Sequence, residues 1–265
     1  MLLAIRRFLH FNRHASPKTE SSVKAIALSA RFEYELHFKA SKLKTPIKRE
    51  ECGMSQISKP AGILGKFLAW GMAWGTKSFY KNTARIISLK NDDRYLEIGF
   101  GSGLFIKKHA SHVAQVSGID FSKDMVKLAS NNNKKLVESG KVEFIQGVAS
   151  ALPWKDNQFS VAVGIETFFF WSEPKTSLEE IHRVLVPGGR LVIEMAYNKD
   201  DGKDHSQLVE KYNLKLYGGD EMVRLLEESG FSAVCIRYYK SLWVPFKGNI
   251  VPKGMIVKAE KRYLE

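Results

Sequence analysis

Leu96-Glu97-Ile98-Gly99-Phe100-Gly101-Ser102-Gly103-Leu104 is the stretch that decides how this chain folds. Leu96 to Ile98 read as the end of a buried strand. Three glycines follow at alternate positions, and Leu104 to His109 read as a helix opening directly behind them. A backbone that must turn sharply and let a ligand come close needs residues without a Cβ. A helix start behind such a loop turns unpaired N–H groups toward an anionic or polar ligand. Glu97 sets a carboxylate at the strand's C-terminal end. Seventeen residues beyond Gly103, Asp120 ends a second short strand, Val116-Ser117-Gly118-Ile119. An acid in that place can accept hydrogen bonds from two ribose hydroxyls.

The spacing also selects the ligand. A dinucleotide loop, G-x-G-x-x-G, would put its third glycine at position 104, where this chain has Leu104. No Gly-Lys-Ser/Thr follows either, which excludes a phosphate loop. Glu-x-Gly-x-Gly-x-Gly with an acid ending the next strand resembles motif I and its successor in class I S-adenosylmethionine-dependent methyltransferases. The resemblance runs from about Gly62 to Lys261 and is nearest to the type 11 group of small-molecule enzymes. Ala151-Leu152-Pro153-Trp154-Lys155-Asp156-Asn157-Gln158-Phe159 looks like that group's A-L-P-F-x-D-N-x-F segment. Arg183-Val184-Leu185-Val186-Pro187-Gly188-Gly189 looks like its R-V-L-K-P-G-G. Two positions depart from the pattern. Gly147-Val148-Ala149 stands where many members carry an acid for the adenine amino group, and Ser160 stands where an acid is common in the fourth strand.

What the resemblance implies is S-adenosyl-L-methionine as cofactor, a ligand with an amino-acid tail, a sulfonium and a nucleoside but no phosphate. Glu97, Gly99, Phe100, Gly101 and Gly103 would form the strand end and loop against it. Asp120 would hold the ribose, Phe121 and Met125 one adenine face, and Val148 and Ala149 the other side. Ile165-Glu166-Thr167-Phe168-Phe169-Phe170-Trp171 then follows the fourth strand, at the mouth where a substrate should sit. Glu166 could hold the cofactor's ammonium, position the substrate or act as a base; equally, it could cap a turn beside core aromatics. Phe169, Phe170 and Trp171, with Trp70 and Trp74 upstream, are the candidate substrate contacts. Methyl transfer is an in-line displacement at an activated carbon, so such a site needs alignment first and a base only when the nucleophile must lose a proton. Beyond Glu166 no catalytic residue is assigned.

Composition bounds the rest. A chain of 265 residues, 44% hydrophobic and 26% charged, suits one domain with appendages. No apolar run reaches the roughly 18–20 residues of a membrane span. Two cysteines, Cys52 and Cys235, and seven scattered histidines argue against a disulfide framework or a metal site. The net charge of +13 invites a nucleic-acid partner. However, residues 1–53 hold 11 Lys/Arg against 5 Asp/Glu, so nearly half the excess lies in the first fifth of the chain. The predicted mouth offers a carboxylate and aromatics instead of clustered cations. The reading is therefore an enzyme acting on a small, partly apolar molecule, in the cytoplasm. An RNA or protein methyltransferase and a non-catalytic cofactor-binding scaffold are the alternatives. The oligomeric state is not readable.

The expected fold is α/β: a doubly wound, Rossmann-like, seven-stranded, mostly parallel sheet with an antiparallel edge strand and an N-terminal helical extension. Residues 1–53 read as a basic extension, an organelle-targeting segment being one alternative. Residues 54–90 read as a helical cover and 91–265 as the cofactor-binding domain. One helix is expected from Ser122 to about Glu138, and a fifth strand from Arg190 after the turn Pro187-Gly188-Gly189.

Overall fold

The computed structural model describes residues 77–240 and 253–262. Trp70 and Trp74, the expected extension over residues 1–53 and most of the expected cover lie outside the described residues.

The described chain begins with helix α1, Lys77–Ile87, which enters strand β1, Arg94–Ile98. Helix α2 (Leu104–His109), strand β2 (Gln115–Asp120), helices α3 (Lys123–Asn132) and α4 (Lys134–Glu138) and strand β3 (Val142–Gln146) follow. Strand β4 (Phe159–Ile165), helix α5 (Pro174–Val184) and strand β5 (Leu185–Met195) come next. Helices α6 (Ser206–Tyr212) and α7 (Gly219–Glu228) lead to strands β6 (Phe231–Lys240) and β7 (Lys253–Lys261). The seven strands lie in the order β3-β2-β1-β4-β5-β7-β6. The first five are mutually parallel; β7 runs antiparallel between β5 and β6, closing that edge as a hairpin. Strand order reverses between β1 and β4, and a ligand crevice belongs outside the C-terminal ends of these strands.

Both faces of the sheet are covered, as continuous apolar strands require. Leu96, Ile98, Ala162 and Ile193 pack on one face with α5 and α7. Tyr95, Val116, Val163 and Val192 alternate onto the other, under α1, α2 and α3. Helix α1 runs against the strand direction. Its end is tied to β5 by Arg190, which donates to the Ile87 carbonyl at 2.9 Å. Near its beginning, Phe79 meets Tyr239 near the end of β6. No helix among the described residues is long and apolar enough to cross a membrane.

Two boundaries differ from expectation. The helix expected to reach Glu138 unbroken is split at Asn133, whose side chain donates to the Gly103 carbonyl at 3.1 Å and the Ala129 carbonyl at 2.9 Å. Asparagine competes in this way with helical hydrogen bonding, and here the break braces the glycine loop. Strand β5 begins at Leu185, not Arg190. Leu185 pairs with Phe159, and the Pro187-Gly188-Gly189 turn becomes an irregularity within the strand before Arg190 pairs with Val161.

Arg183 explains why two separate sequence segments accompany each other. Its guanidinium donates to the carbonyls of Leu152 and Trp154 and to the carboxylates of Asp156 and Glu180. The loop Ala151–Gln158 is thereby fastened to α5.

Candidate functional site

Gly99, Gly101 and Gly103 all have left-handed backbones, with φ of +70°, +53° and +70°. Gly99 donates to the Ile119 carbonyl at 2.7 Å, which holds the loop across the end of β2. The three positions are not equivalent. A Cβ on Gly99 would lie 2.3 Å from Thr167 Oγ1, and one on Gly103 would lie 2.9 Å from Ala129 Cβ. A Cβ on Gly101 would meet nothing within 4 Å. The outer two glycines allow protein to pack on the loop, and the middle one leaves space for something else.

Asp120 sits beside that space. One carboxylate oxygen accepts from the Gly101 N–H and the other from the Ser122 N–H, both at 2.9 Å. It is 6% exposed, and burial raises its pKa against the pull of those two bonds. The expected ribose acid thus also ties β2 to the glycine loop. Glu97 is more deeply placed. The Tyr95 hydroxyl donates to it at 2.5 Å, and burial drives its pKa up to about 8, opposed by the Tyr95 bond and reinforced by Asp120.

The other expected contacts divide. Phe121 is half-buried and Val148 exposed; Gln146 Nε2 donates to the Phe121 carbonyl, and Gly147 N donates to the Asp120 carbonyl. These residues rim the end of β2. Ala149 and Met125 are buried and belong to the two core layers. Phe100 was expected against the cofactor, but its side chain packs in the core with its ring 4.7 Å from Phe144. Only its backbone belongs to the loop. In the segment after β4, the expected substrate contact Phe169 is likewise buried in a core layer. Phe170 and Trp171 are partly exposed and pack at the margin of the same layer. Trp171 Nε1 donates to Thr167 Oγ1 at 3.3 Å, so the aromatic segment leans on the residue that contacts Gly99.

Glu166 has φ +55°, a strained conformation for a glutamate. The turn aims its carboxyl across the end of β5, where the Ala196 N–H donates to it. There it faces Glu194, which is fully buried and accepts from the Tyr239 hydroxyl. Burial raises the pKa of Glu166 to about 7, with the Ala196 and Glu194 hydrogen bonds pulling against it. Burial, then the charge of Glu166, pushes Glu194 well above the usual carboxylate range. Glu194 and Tyr239 were not anticipated from sequence. The only signal was an acid inside the apolar strand Leu191-Val192-Ile193-Glu194-Met195. Asn132 and Asn133, which hold the carbonyls of Ser102 and Gly103, were marked by a run of three asparagines inside a helix.

The donor set fits the implied cofactor. Open space at Gly101 lies beside the buried Asp120, with Glu97 in electrostatic reach of that acid and partly exposed aromatics in the turn after the neighbouring strand β4. The backbone of Gly99 to Gly103 and the Asp120 carboxylate would hold the amino-acid tail and the ribose.

The raised pKa of Glu97 has a measurable consequence. A carboxyl whose folded pKa exceeds its unfolded value stabilises the fold fully below about pH 4.5 and loses that contribution as pH rises through about 8. The melting temperature is therefore expected to fall between about pH 5 and about pH 9. Glu97→Gln keeps an acceptor for Tyr95 but cannot ionise. It should flatten the slope and melt roughly 10 °C above wild type at the alkaline end. Parallel melting curves across that range would refute the protonated assignment.

Residues 96–193 match the family model described as "Methyltransferase domain". The O-methyltransferase rstn1 of Aspergillus nomiae is 27% identical over 166 residues, 60% of this chain and 73% of that protein. The ubiquinone/menaquinone biosynthesis C-methyltransferase UbiE of Pseudomonas savastanoi pv. phaseolicola is 30% identical over 181 residues, 63% of this chain and 68% of that protein. Three further O-methyltransferases are matched over 55%, 64% and 62% of their length, so the chain spans little more than half to two thirds of each. Among solved structures, phosphoethanolamine N-methyltransferase 2 of Haemonchus contortus, in complex with phosphomonomethylethanolamine and S-adenosylhomocysteine, superposes with a TM-score of 0.64 at 16% identity. That match covers 74% of this chain and 57% of the other.

Proposed function

The chain belongs to the class I S-adenosylmethionine-dependent methyltransferases of the type 11 group, and from that premise we propose that it methylates a small, partly apolar molecule bound at the mouth of β4 and β5. The observation that carries the reading is the open approach to Gly101, whose N–H donates to Asp120, with Glu97 in electrostatic reach of that acid; Glu166, Phe170 and Trp171 follow β4, the strand paired with β1. A mostly apolar opening with a few convergent polar groups suits a small ligand. The relatives named as O-methyltransferases and as a quinone C-methyltransferase support the same class of acceptor. The bound cofactor would supply an activated methyl group. Glu97, the glycine backbone and Asp120 would hold it, while Phe170 and Trp171 would orient the acceptor and exclude water.

Titration calorimetry tests the first half. S-adenosylhomocysteine should bind and NAD should not; the reverse would refute the cofactor. Asp120→Ala should weaken that binding by roughly 1.5–3 kcal/mol, because buried donors lose a charged acceptor. The second half is tested with isotopically labelled cofactor and a cell extract. Trp171→Ala and Phe170→Ala should impair transfer to small molecules while leaving cofactor affinity within about threefold. Salt-sensitive methylation of RNA, indifferent to both substitutions, would favour a nucleic-acid substrate.

A further inference from the structure

We propose that Glu166 and Glu194 share a single proton, and that Glu166 takes a proton from an acidic hydroxyl of the substrate while Glu194 and Tyr239 position it. The proposal rests on the reading of methyl transfer at this mouth and adds to it an acceptor class: a phenol- or enol-like hydroxyl on an apolar skeleton.

Four observations carry it. The first is backbone strain: Glu166 at φ +55° directs its carboxyl toward the neighbouring strand end and not along its own. The second is an unmatched atom. Glu194 Oε1 accepts from Tyr239, but Oε2 is buried with no donor beside it. A buried carboxylate oxygen facing another carboxyl is satisfied when a proton lies between the two. The third is the support behind the pair. The Tyr239 ring lies where a Cβ on Gly254 would approach to 2.3 Å, and the Phe79 ring of α1 meets it edge-on, with centroids 6.4 Å apart. The fourth is position, since Glu166 follows β4 directly and the Ala196 N–H that fixes it follows β5.

The titratable groups facing the pair are few. Glu194 from β5 and Tyr197 from the loop after it act on Glu166, and Tyr239 from β6 acts on Glu194. Tyr197 is itself influenced by Tyr212 of α6 and lies against the His205 ring, which pairs with Asp201. With the proton on Glu194 donated toward Glu166, the latter remains available as a base near neutral pH. In the transfer step the substrate oxygen forms a bond to the methyl carbon. The carbon–sulfur bond breaks with its electron pair returning to sulfur, and the hydroxyl proton moves to Glu166.

The test uses the full-length protein, methyl-labelled cofactor, and a panel of phenols and naphthols with amines and thiols of similar size as comparison arms. Only the hydroxyl compounds should be methylated, at a rate rising through about pH 7. Glu166→Gln should lower kcat by at least about 100-fold. Glu194→Gln keeps a donor toward Glu166 and should retain the wild-type pH profile. Glu194→Met removes that donor, so the profile should move at least about one unit alkaline. Its rate should fall about tenfold at neutral pH and recover near pH 9, with KM little changed. A purely structural role would not be rescued by pH. Infrared titration of the substrate-free protein, in a Glu97→Gln background, reads the same pair without turnover; the protonated-carboxyl band should lose part of its intensity near pH 7, as Glu166 ionises, and the part from Glu194 should persist above it. A midpoint in the ordinary carboxylate range, identical profiles for Glu194→Met and wild type, or methylation confined to amines would overturn the proposal. If no panel member is methylated, the infrared midpoint decides. Failure to bind S-adenosylhomocysteine would separately refute the cofactor reading.

Discussion

Gly99→Ala is expected to cost the protein much of its stability, and Gly101→Ala its cofactor. Both glycines are left-handed, which in itself costs an L-residue about 1–2 kcal/mol. At Gly99 the added methyl must also occupy the place of Thr167, with Oγ1 at 2.3 Å and Cβ at 2.8 Å. Those atoms are not the free end of a long side chain, since Thr167 also accepts from Trp171. Overpacking of that kind adds roughly 1–3 kcal/mol. The combined loss of about 3 kcal/mol or more should lower the melting temperature by roughly 10 °C. Thr167→Gly should recover the packing part in the double variant, but not the backbone part. At Gly101 the methyl has open space, so only the conformational cost applies to the fold. It would nevertheless stand in the opening where the ligand backbone is expected. Cooperative melting should persist within a few degrees, while S-adenosylhomocysteine affinity should drop at least about tenfold. Equal affinity in Gly101→Ala and wild type would mean that the opening is not the cofactor's place.

These glycines were readable in advance because their demand is local. A strand end, three glycines, a helix start and an acid at the next strand end lie within 25 residues, Glu97 to Phe121. The five parallel strands were readable for the same reason, each being a short apolar-rich segment between turns, with β4 the most continuous. What escaped is what only the sheet order assembles. Glu194 and Tyr239 lie 45 residues apart and meet because β7 inserts between β5 and β6. Whether an aromatic after β4 faces a ligand or the core could not be read either. Phe168, Phe169, Phe170 and Trp171 are chemically alike in sequence, and a short helical turn over Phe168–Phe170 divides them between interior and margin. The positive φ of Glu166 has no sequence signature at all, because glutamate rarely adopts it.

The second large effect lies at the opposite end of the sheet from the candidate site. Arg190→Met is expected to destabilise the protein by about 3–5 kcal/mol, the usual consequence of stranding one half of a buried ion pair. Arg190 donates to both Asp93 carboxylate oxygens, at 3.1 and 2.5 Å, across 97 residues of chain. It also donates to the carbonyls of Ile87 and Ser88, which end α1. Asp93 is completed by Ser160 Oγ at 2.7 Å and the Lys90 N–H at 2.7 Å. Ser160, which departs from the family-like acid in β4, therefore has a structural partner. Burial alone would raise the Asp93 pKa, but the bonds from Arg190, Lys90 and Ser160 hold it below the usual carboxylate value. Its contribution is therefore present above about pH 4 and lost as pH falls through the lowered folded value. In Arg190→Met the Asp93 carboxylate is left buried without its cation. Its pKa should rise, and melting should become steeply pH-dependent near pH 4–5, where wild type is still flat. The double variant Asp93→Leu/Arg190→Met removes both charges and should regain much of the loss. Because the pair anchors the end of α1 far from Gly101, S-adenosylhomocysteine should still bind well below the melting temperature. Phe79, on the same helix, would lose its fixed place against Tyr239. The variant should then show a normal cofactor affinity with a reduced rate of methyl transfer. A melting temperature within a degree or two of wild type would show that α1 is held by its apolar face alone.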